Sequence, residues 1–142
     1  MQTARVLLVE DVESQAYLMR RVLERAGHQI VHVVYAKEAF KQLARGELFD
    51  LVLCDYRLPD LDGFALFNLI QERIASLAPT FVLVTAFGDR TCVSAREQMN
   101  PESEELAWLE AGVHDILSKP VKPKRLLDLV NKAARGELGS AA

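Results

Sequence analysis

The chain predicts an α/β fold, a parallel sheet with helices on both faces. Three observations carry that reading. Short apolar runs alternate along the chain with stretches of helical spacing. The connections between them are short, and five such βα units in one chain imply right-handed crossovers between parallel strands. The central run, Leu51-Val52-Leu53-Cys54, contains no polar residue, as expected of a strand covered on both faces. At 142 residues the chain is the size of one domain and buries roughly 68–70% of its unfolded surface without staples.

The elements follow in order. Strand one is Val6–Val9. Helix one is Glu13–Ala26, with Ala16, Leu18, Met19, Val22, Leu23 and Ala26 at helical spacing and Gly27 as its C′ residue. Strand two is Gln29–Val34, and helix two, Ala36–Arg45, ends at Gly46. Strand three is Leu51–Cys54. Asp62-Gly63 opens helix three, which runs to Ile74 or Ala75, and Phe81–Val84 after Pro79 is strand four. Pro101 suits a first helical position with Asn100 as N-cap, and glutamates 102, 104 and 105 favour the positive end of the dipole, so helix four spans Pro101–Ala111. An extra turn or short helix is expected around Thr91–Met99. Ile116-Leu117 lies in a short strand five, and Lys124–Ala134 is the last helix. The expected organisation is one domain over residues 1–136, with an insertion around 91–100 and a flexible tail at 137–142.

Half the residues are hydrophobic and the net charge is −3 with mixed signs, which argues against nonspecific nucleic-acid binding. Lys122, Lys124 and Arg125 form a small basic patch, read as a solvated face. No apolar stretch approaches the ~18 residues of a membrane span, and no secretion signal precedes strand one. Cys54 and Cys92 have no metal-like spacing, which suits a reducing compartment; the expected location is the cytoplasm. His28, His32 and His114 are scattered and read as ordinary residues. Trp108, offset from the Leu106/Leu109 side of its helix, admits two readings, a partner anchor or packing against the inserted segment, of which packing is expected.

The strand ends carry the chemistry. Strand one ends in Glu10-Asp11, strand three in Asp55, strand four in Thr85 and strand five in Lys119-Pro120. Open α/β sheets place ligands at the carboxyl ends of their strands. Glu10, Asp11 and Asp55 converge if strands one and three are neighbours. Two unit charges 4 Å apart then repel by about 4 kcal/mol at an effective dielectric of 20, so the group needs a cation or must hold protons. Hard carboxylate oxygens without His or thiolate suit Mg²⁺. A metal so held bridges to a phosphate oxygen, while Lys119 and Thr85 reach others. Asp55, ending the expected central strand, is the candidate nucleophile, giving an aspartyl phosphate.

An isolated Asp after a strand is usually a turn or cap residue. Four motifs in order at strand ends say more: Glu10-Asp11, the stretch Cys54–Gly63, Val84-Thr85-Ala86 and Ser118-Lys119-Pro120. On these the chain resembles the receiver domains of two-component response regulators over essentially its whole length. The resemblance implies a flavodoxin-like doubly wound sheet of five parallel strands, order 2-1-3-4-5. It implies Asp55 as phosphoacceptor, with Thr85 and Lys119 gripping the phosphoryl oxygens. Asp11 and Asp55 would ligate Mg²⁺ directly, Glu10 mainly through water, and the Arg57 backbone carbonyl would complete the protein ligands. The Lys119–Pro120 bond is expected to be cis. The implied phosphodonor is a histidine kinase or histidine phosphotransfer protein, the implied output an unidentified protein target. A homodimer through the helix four to helix five face is allowed.

The chain departs from the family pattern at two places. Ile116 stands where an aromatic residue is usual, and Phe87 is the candidate substitute. The stretch from Thr85 to Lys119 is roughly three helical turns longer than usual, which is expected to reshape the helix four to helix five face. Arg57 and Phe87, two residues past Asp55 and Thr85, are placed to overhang a phosphoryl group and slow its hydrolysis. Rival functions fare worse. A phosphatase of haloacid-dehalogenase type needs a second Asp where Arg57 stands, so the chain is not expected to be an enzyme beyond its own phosphorylation and dephosphorylation. A flavin phosphate would be repelled by Glu10-Asp11-Val12-Glu13. A receiver-shaped adaptor with weak or no switching remains the alternative, kept open by Ile116 and the insertion.

Overall fold

The computed structural model describes residues 2–86 and 101–137, with side chains from 104 onward in the second stretch. The expected insertion at 91–100, its flanking Phe87 and Asn100, Cys92, and all of the tail except Glu137 lie outside the described residues. Among the described residues five strands, β1 (Arg5–Val9), β2 (Gln29–Val33), β3 (Leu51–Asp55), β4 (Thr80–Thr85) and β5 (Asp115–Ser118), alternate with five helices. These are α1 (Glu13–Arg25), α2 (Ala36–Ala44), α3 (Gly63–Ile74), α4 (Pro101–Ala111) and α5 (Pro123–Ala134). The sheet is parallel throughout, in the order β2-β1-β3-β4-β5. Both the fold class and the implied strand order are therefore found.

Most boundaries move by a residue, and the reasons are local. Asp55 belongs to β3 itself, because it pairs with Val84 of β4. Helix α3 passes into a 3₁₀ turn, Ala75–Leu77, and stops there, with Ala78 extended ahead of Pro79, as a residue preceding proline prefers. Gly27 follows α1 at φ +94°, a left-handed helix exit that an L side chain resists.

The period-two alternation of the strands sorts the core into two layers. Val6 and Leu8, Leu51 and Leu53, Val82 and Val84, and Leu117 pack with α1 and α5. Leu7 and Val9, Val52 and Cys54, Phe81 and Leu83 pack with α2, α3 and Trp108 of α4. Both layers are fully buried at β3, which is why its run has no polar residue. The same parity places the polar residues. Glu10, Asp55 and Lys119 continue the rows that face α1 and α5, whereas Thr85 continues the opposite row.

The histidines are structural, as expected. His28 is buried, its Nδ1 accepting the Ala4 amide at 3.0 Å, so Nε2 carries the proton and donates to Asn131 Oδ1 at 2.9 Å. His114 Nδ1 accepts the Phe81 amide at 3.0 Å, fastening the start of β5 to β4.

Candidate functional site

Four strand ends deliver the site. Glu10 is the first residue past β1, Asp55 the last of β3, Thr85 the last of β4 and Lys119 the first past β5. β1 and β3 are paired neighbours, with Val9 opposite Cys54, so Glu10 and Asp55 emerge side by side. Glu10, Asp11 and Asp55 each offer a carboxylate oxygen within 4.8 Å of the others. Glu10, Asp55 and Thr85 are buried at 1%, 7% and 1% exposure, while Asp11 is exposed. The Lys119 ammonium bridges the two buried acids, 3.1 Å from Glu10 Oε1 and 3.2 Å from Asp55 Oδ1. The Lys119 amide donates to the Thr85 carbonyl at 2.7 Å, and the Lys119–Pro120 bond is cis.

Burial and like charge set the electrostatics. Removal from water, then the neighbouring Glu10 carboxylate, push Asp55 from its ordinary 3.8 up to about 7, with the Lys119 ammonium opposing them. Burial, followed by the field of Asp55 and Glu10, pushes the Cys54 thiol up, so Cys54 is an inert core residue rather than a nucleophile.

The loop after β3 must fold back tightly over the strand end, and Gly63 allows it. A Cβ there would lie 2.6 Å from the Asp55 carbonyl oxygen and 2.6 Å from Leu83 Cδ2. The two other aspartates of this loop do the capping that an isolated Asp usually does. Asp62 accepts the Ala65 amide at 2.7 Å as N-cap of α3. Asp60 accepts the amides of Ala36 and Lys37, both at 2.9 Å, and so caps α2 from outside the helix. Although desolvation acts the other way, these amides hold the Asp60 carboxyl below its ordinary value.

A concavity of about 270 Å³ lies over the site, lined by Asp11, Val12, Asp55, Tyr56, Arg57, Ala86 and Lys119. Arg57 is exposed and lines its rim. Glu10 does not act as a helix cap alone: its Oε2 accepts the Val12 amide at 3.1 Å while Oε1 faces Lys119.

Two residues of the site escaped the sequence reading. Gln15 Oε1 accepts a hydrogen bond from Lys119 Nζ, completing the ammonium's coordination. Its signal is a polar residue heading the helical row Gln15, Met19, Val22, Ala26. Tyr56 is the other. Its ring lies 5.0 Å from that of Trp108, which also meets Phe64 at 6.1 Å. Trp108 is buried, at 3% exposure, which favours packing over a partner anchor; its described ring neighbours are Tyr56 and Phe64, and the inserted segment lies outside the described residues. Ile116 is half-buried against the same layer.

Comparison with known proteins agrees with this geometry. Residues 6–131 match the family model of the response regulator receiver domain. The chain is 36% identical over 137 residues to the response regulator protein FleR of Pseudomonas aeruginosa, covering 95% of this chain and 25% of FleR. It is 32% identical over 128 residues to the aerobic respiration control sensor protein ArcB of Escherichia coli, 89% of this chain and 15% of ArcB. It thus spans a quarter or less of these two relatives, but 99% of the protein PilH of P. aeruginosa, at 29% identity over 134 residues and 94% of this chain. Among solved structures, the HemR receiver domain of Leptospira biflexa superposes with a TM-score of 0.70 at 29% identity, covering 92% of this chain and 93% of that one. The Francisella response regulator 1452 receiver domain shares the fold, with a TM-score of 0.76 at 21% identity over 94% and 98% of the two chains. The chain belongs to the response regulator receiver domain family.

Proposed function

We propose that the chain is a phosphorylation-activated signalling switch. In this reading a histidine kinase or histidine phosphotransfer protein donates a phosphoryl group to Asp55, and conformational change relays the modification to a protein target. The observation that supports it is the convergence of Asp55 with Glu10 and Asp11, all three bearing ligand atoms within 4.8 Å, beneath an ammonium from Lys119. An Asp55 oxygen attacks phosphorus, the P–N bond of the donor phosphohistidine breaks, a P–O bond forms, and the released imidazole takes up a proton. Asp55 must be ionised to attack, so the charge that makes it basic also makes it a stronger nucleophile once deprotonated.

The donor set fits a hard divalent cation, since Glu10, Asp11 and Asp55 offer oxygen only and their mutual repulsion calls for one. Glu10, Asp11, Asp55 and the Arg57 carbonyl would hold Mg²⁺, which when bound supplies neutralisation of charge shared between carboxylate and phosphoryl oxygens. Lys119 and Thr85 serve the phosphoryl oxygens, and Gln15 restrains the ammonium meanwhile. The chain acts only on itself, without turnover of external substrates. Among the described residues no helix is long and apolar enough to cross a membrane, and the reading assigns the chain to the cytoplasm. The homodimer through α4, β5 and α5 belongs to the same proposal.

The test is incubation with Mg²⁺ and acetyl phosphate followed by intact mass. Uptake of one phosphoryl group by the wild type and none by Asp55→Asn is expected. An unlabelled wild type, or a labelled Asp55→Asn protein, overturns the assignment.

A further inference from the structure

Helix α4 is held to the body of the protein in an unusual way. Among its described side chains, from Glu104 to Ala111, only Trp108 is buried; Leu106 and Leu109 are exposed at 55% and 43%. Among the described residues the ring nearest to Trp108 is that of Tyr56, at 5.0 Å and an interplanar angle of 34°. Burial, then the fields of the Asp62 and Glu104 carboxylates, push the Tyr56 hydroxyl up, so Glu104 lies near the same ring. Glu104 and Trp108 are four residues apart and so share one face of α4, where both meet the same tyrosine.

The backbone of Tyr56 is pinned on both sides. Its amide donates to the Val84 carbonyl at 2.8 Å, and its carbonyl accepts the Gly63 amide at 2.7 Å. It is bonded directly to Asp55 and lines the concavity over that residue. One residue therefore touches the candidate phosphoacceptor through its pinned backbone and α4 through its ring. Elements attached by few buried contacts are those that shift first.

We propose that Tyr56 is the positioning residue through which a change at Asp55 is passed to α4, with Trp108 and Glu104 receiving it. This inference rests on the switch reading above and adds to it the route by which α4 responds. New charge and bulk at Asp55 displace the Tyr56 ring, and α4 follows because its one described buried side chain lies against that ring. The displacement alters the exposed Leu106/Leu109 face that α4 presents to solvent.

Trp108 is the only tryptophan, so its emission reports the contact directly. Full-length protein is phosphorylated with acetyl phosphate and Mg²⁺, and the change in tryptophan emission is divided by the phosphoryl content from intact mass. Wild type is expected to change. Tyr56→Phe, which keeps the ring and removes only the hydroxyl near Glu104, should reduce the change about twofold, and Tyr56→Leu should lose it about threefold or more per phosphoryl group. Glu104→Ala, at an exposed position, should reduce it about twofold and decides the matter if Tyr56→Leu does not fold. A labelled wild type with unaltered emission overturns the coupling alone, as does a Tyr56→Leu or Glu104→Ala protein with the wild-type change. A wild type that takes up no phosphoryl group overturns the switch reading, and this inference with it.

Discussion

Replacing Asp55 by Asn is expected to stabilise the metal-free protein at neutral pH, although it removes a residue that faces an ammonium. Asp55 is 7% exposed, and burial and Glu10 raise it from 3.8 to about 7. A folded value above the unfolded one means that the native state binds the proton more tightly. The native state is therefore penalised as pH rises between those two values, and the penalty is complete above about 7. A shift of about three units at 1.36 kcal/mol each sets a ceiling of roughly 4 kcal/mol. Part of this is offset, because Asn leaves Lys119 with only Glu10 and Gln15 as partners. A net gain of about 2 kcal/mol is expected at pH 8. With a urea m-value of 1–3 kcal/mol/M, the denaturation midpoint rises by about 1 M. The assay is urea unfolding of both proteins in EDTA at pH 8, 6 and 4.5, followed by far-UV circular dichroism. Equal midpoints at pH 8, or a difference that does not shrink on acidification, would refute the reasoning.

Mg²⁺ should stabilise the wild type by about 2.7 kcal/mol at a hundredfold excess over its dissociation constant, read as a rise in the urea midpoint. Asp11→Asn, exposed and so harmless to the fold, should weaken that response about tenfold in Mg²⁺ concentration; an unchanged titration would remove Asp11 from the donor set. Lys119→Ala leaves Glu10 and Asp55 without their shared cation and should destabilise by about 2 kcal/mol at pH 8. The loss should be smaller in an Asp55→Asn background, and strict additivity in this double-mutant cycle would contradict the shared contact. Gly63→Ala drives a Cβ to 2.6 Å from the Asp55 carbonyl oxygen and should lower stability by about 2–3 kcal/mol; a loss below 0.5 kcal/mol in thermal unfolding would show that the loop yields easily. If Arg57 and Phe87 shield the phosphoryl group, an Arg57→Ala, Phe87→Ala double variant should lose its label faster than wild type, and slower loss would count against the shielding.

The strands and helices were legible because each apolar run carries its own period. Val6–Val9 and Leu51–Cys54 are covered on both sides and admit no polar residue, and their pairing partners do not alter that. Strand order is another matter. Nothing in an apolar run names its neighbour, and the order 2-1-3-4-5 was legible only through the family resemblance of the strand-end motifs. The site divides in the same way. Glu10, Asp55, Thr85 and Lys119 are legible because strand ends of a parallel sheet converge. Asp60 as the cap of α2 was not, since its bonds to Ala36 and Lys37 join the loop after β3 to the start of a helix that only the folded sheet brings beside it. Gln15 was missed because a lone glutamine on a helix has no chemistry until an ammonium from a distant loop reaches it.

Helix α4 shows why periodicity failed to orient one element. Its apolar residues, Leu106, Ala107, Trp108, Leu109 and Ala111, wrap most of the way round, so no single stripe points inward. Burial then goes to the side chain with the most surface to remove from water. An aromatic side chain of this size buries 150–250 Å², worth about 5 kcal/mol at 25 cal/mol per Å². Trp108 takes the inward position against Tyr56 and Phe64, and the two leucines are left to solvent. Inverting a two-state equilibrium from 1:99 requires about 5.5 kcal/mol of differential stabilisation. The one buried side chain described on α4 therefore contributes an energy of the same size as such an inversion. On the proposed switch reading, a better amphipathic α4, with Leu106 and Leu109 also buried, would be docked more firmly than such a shift could overcome.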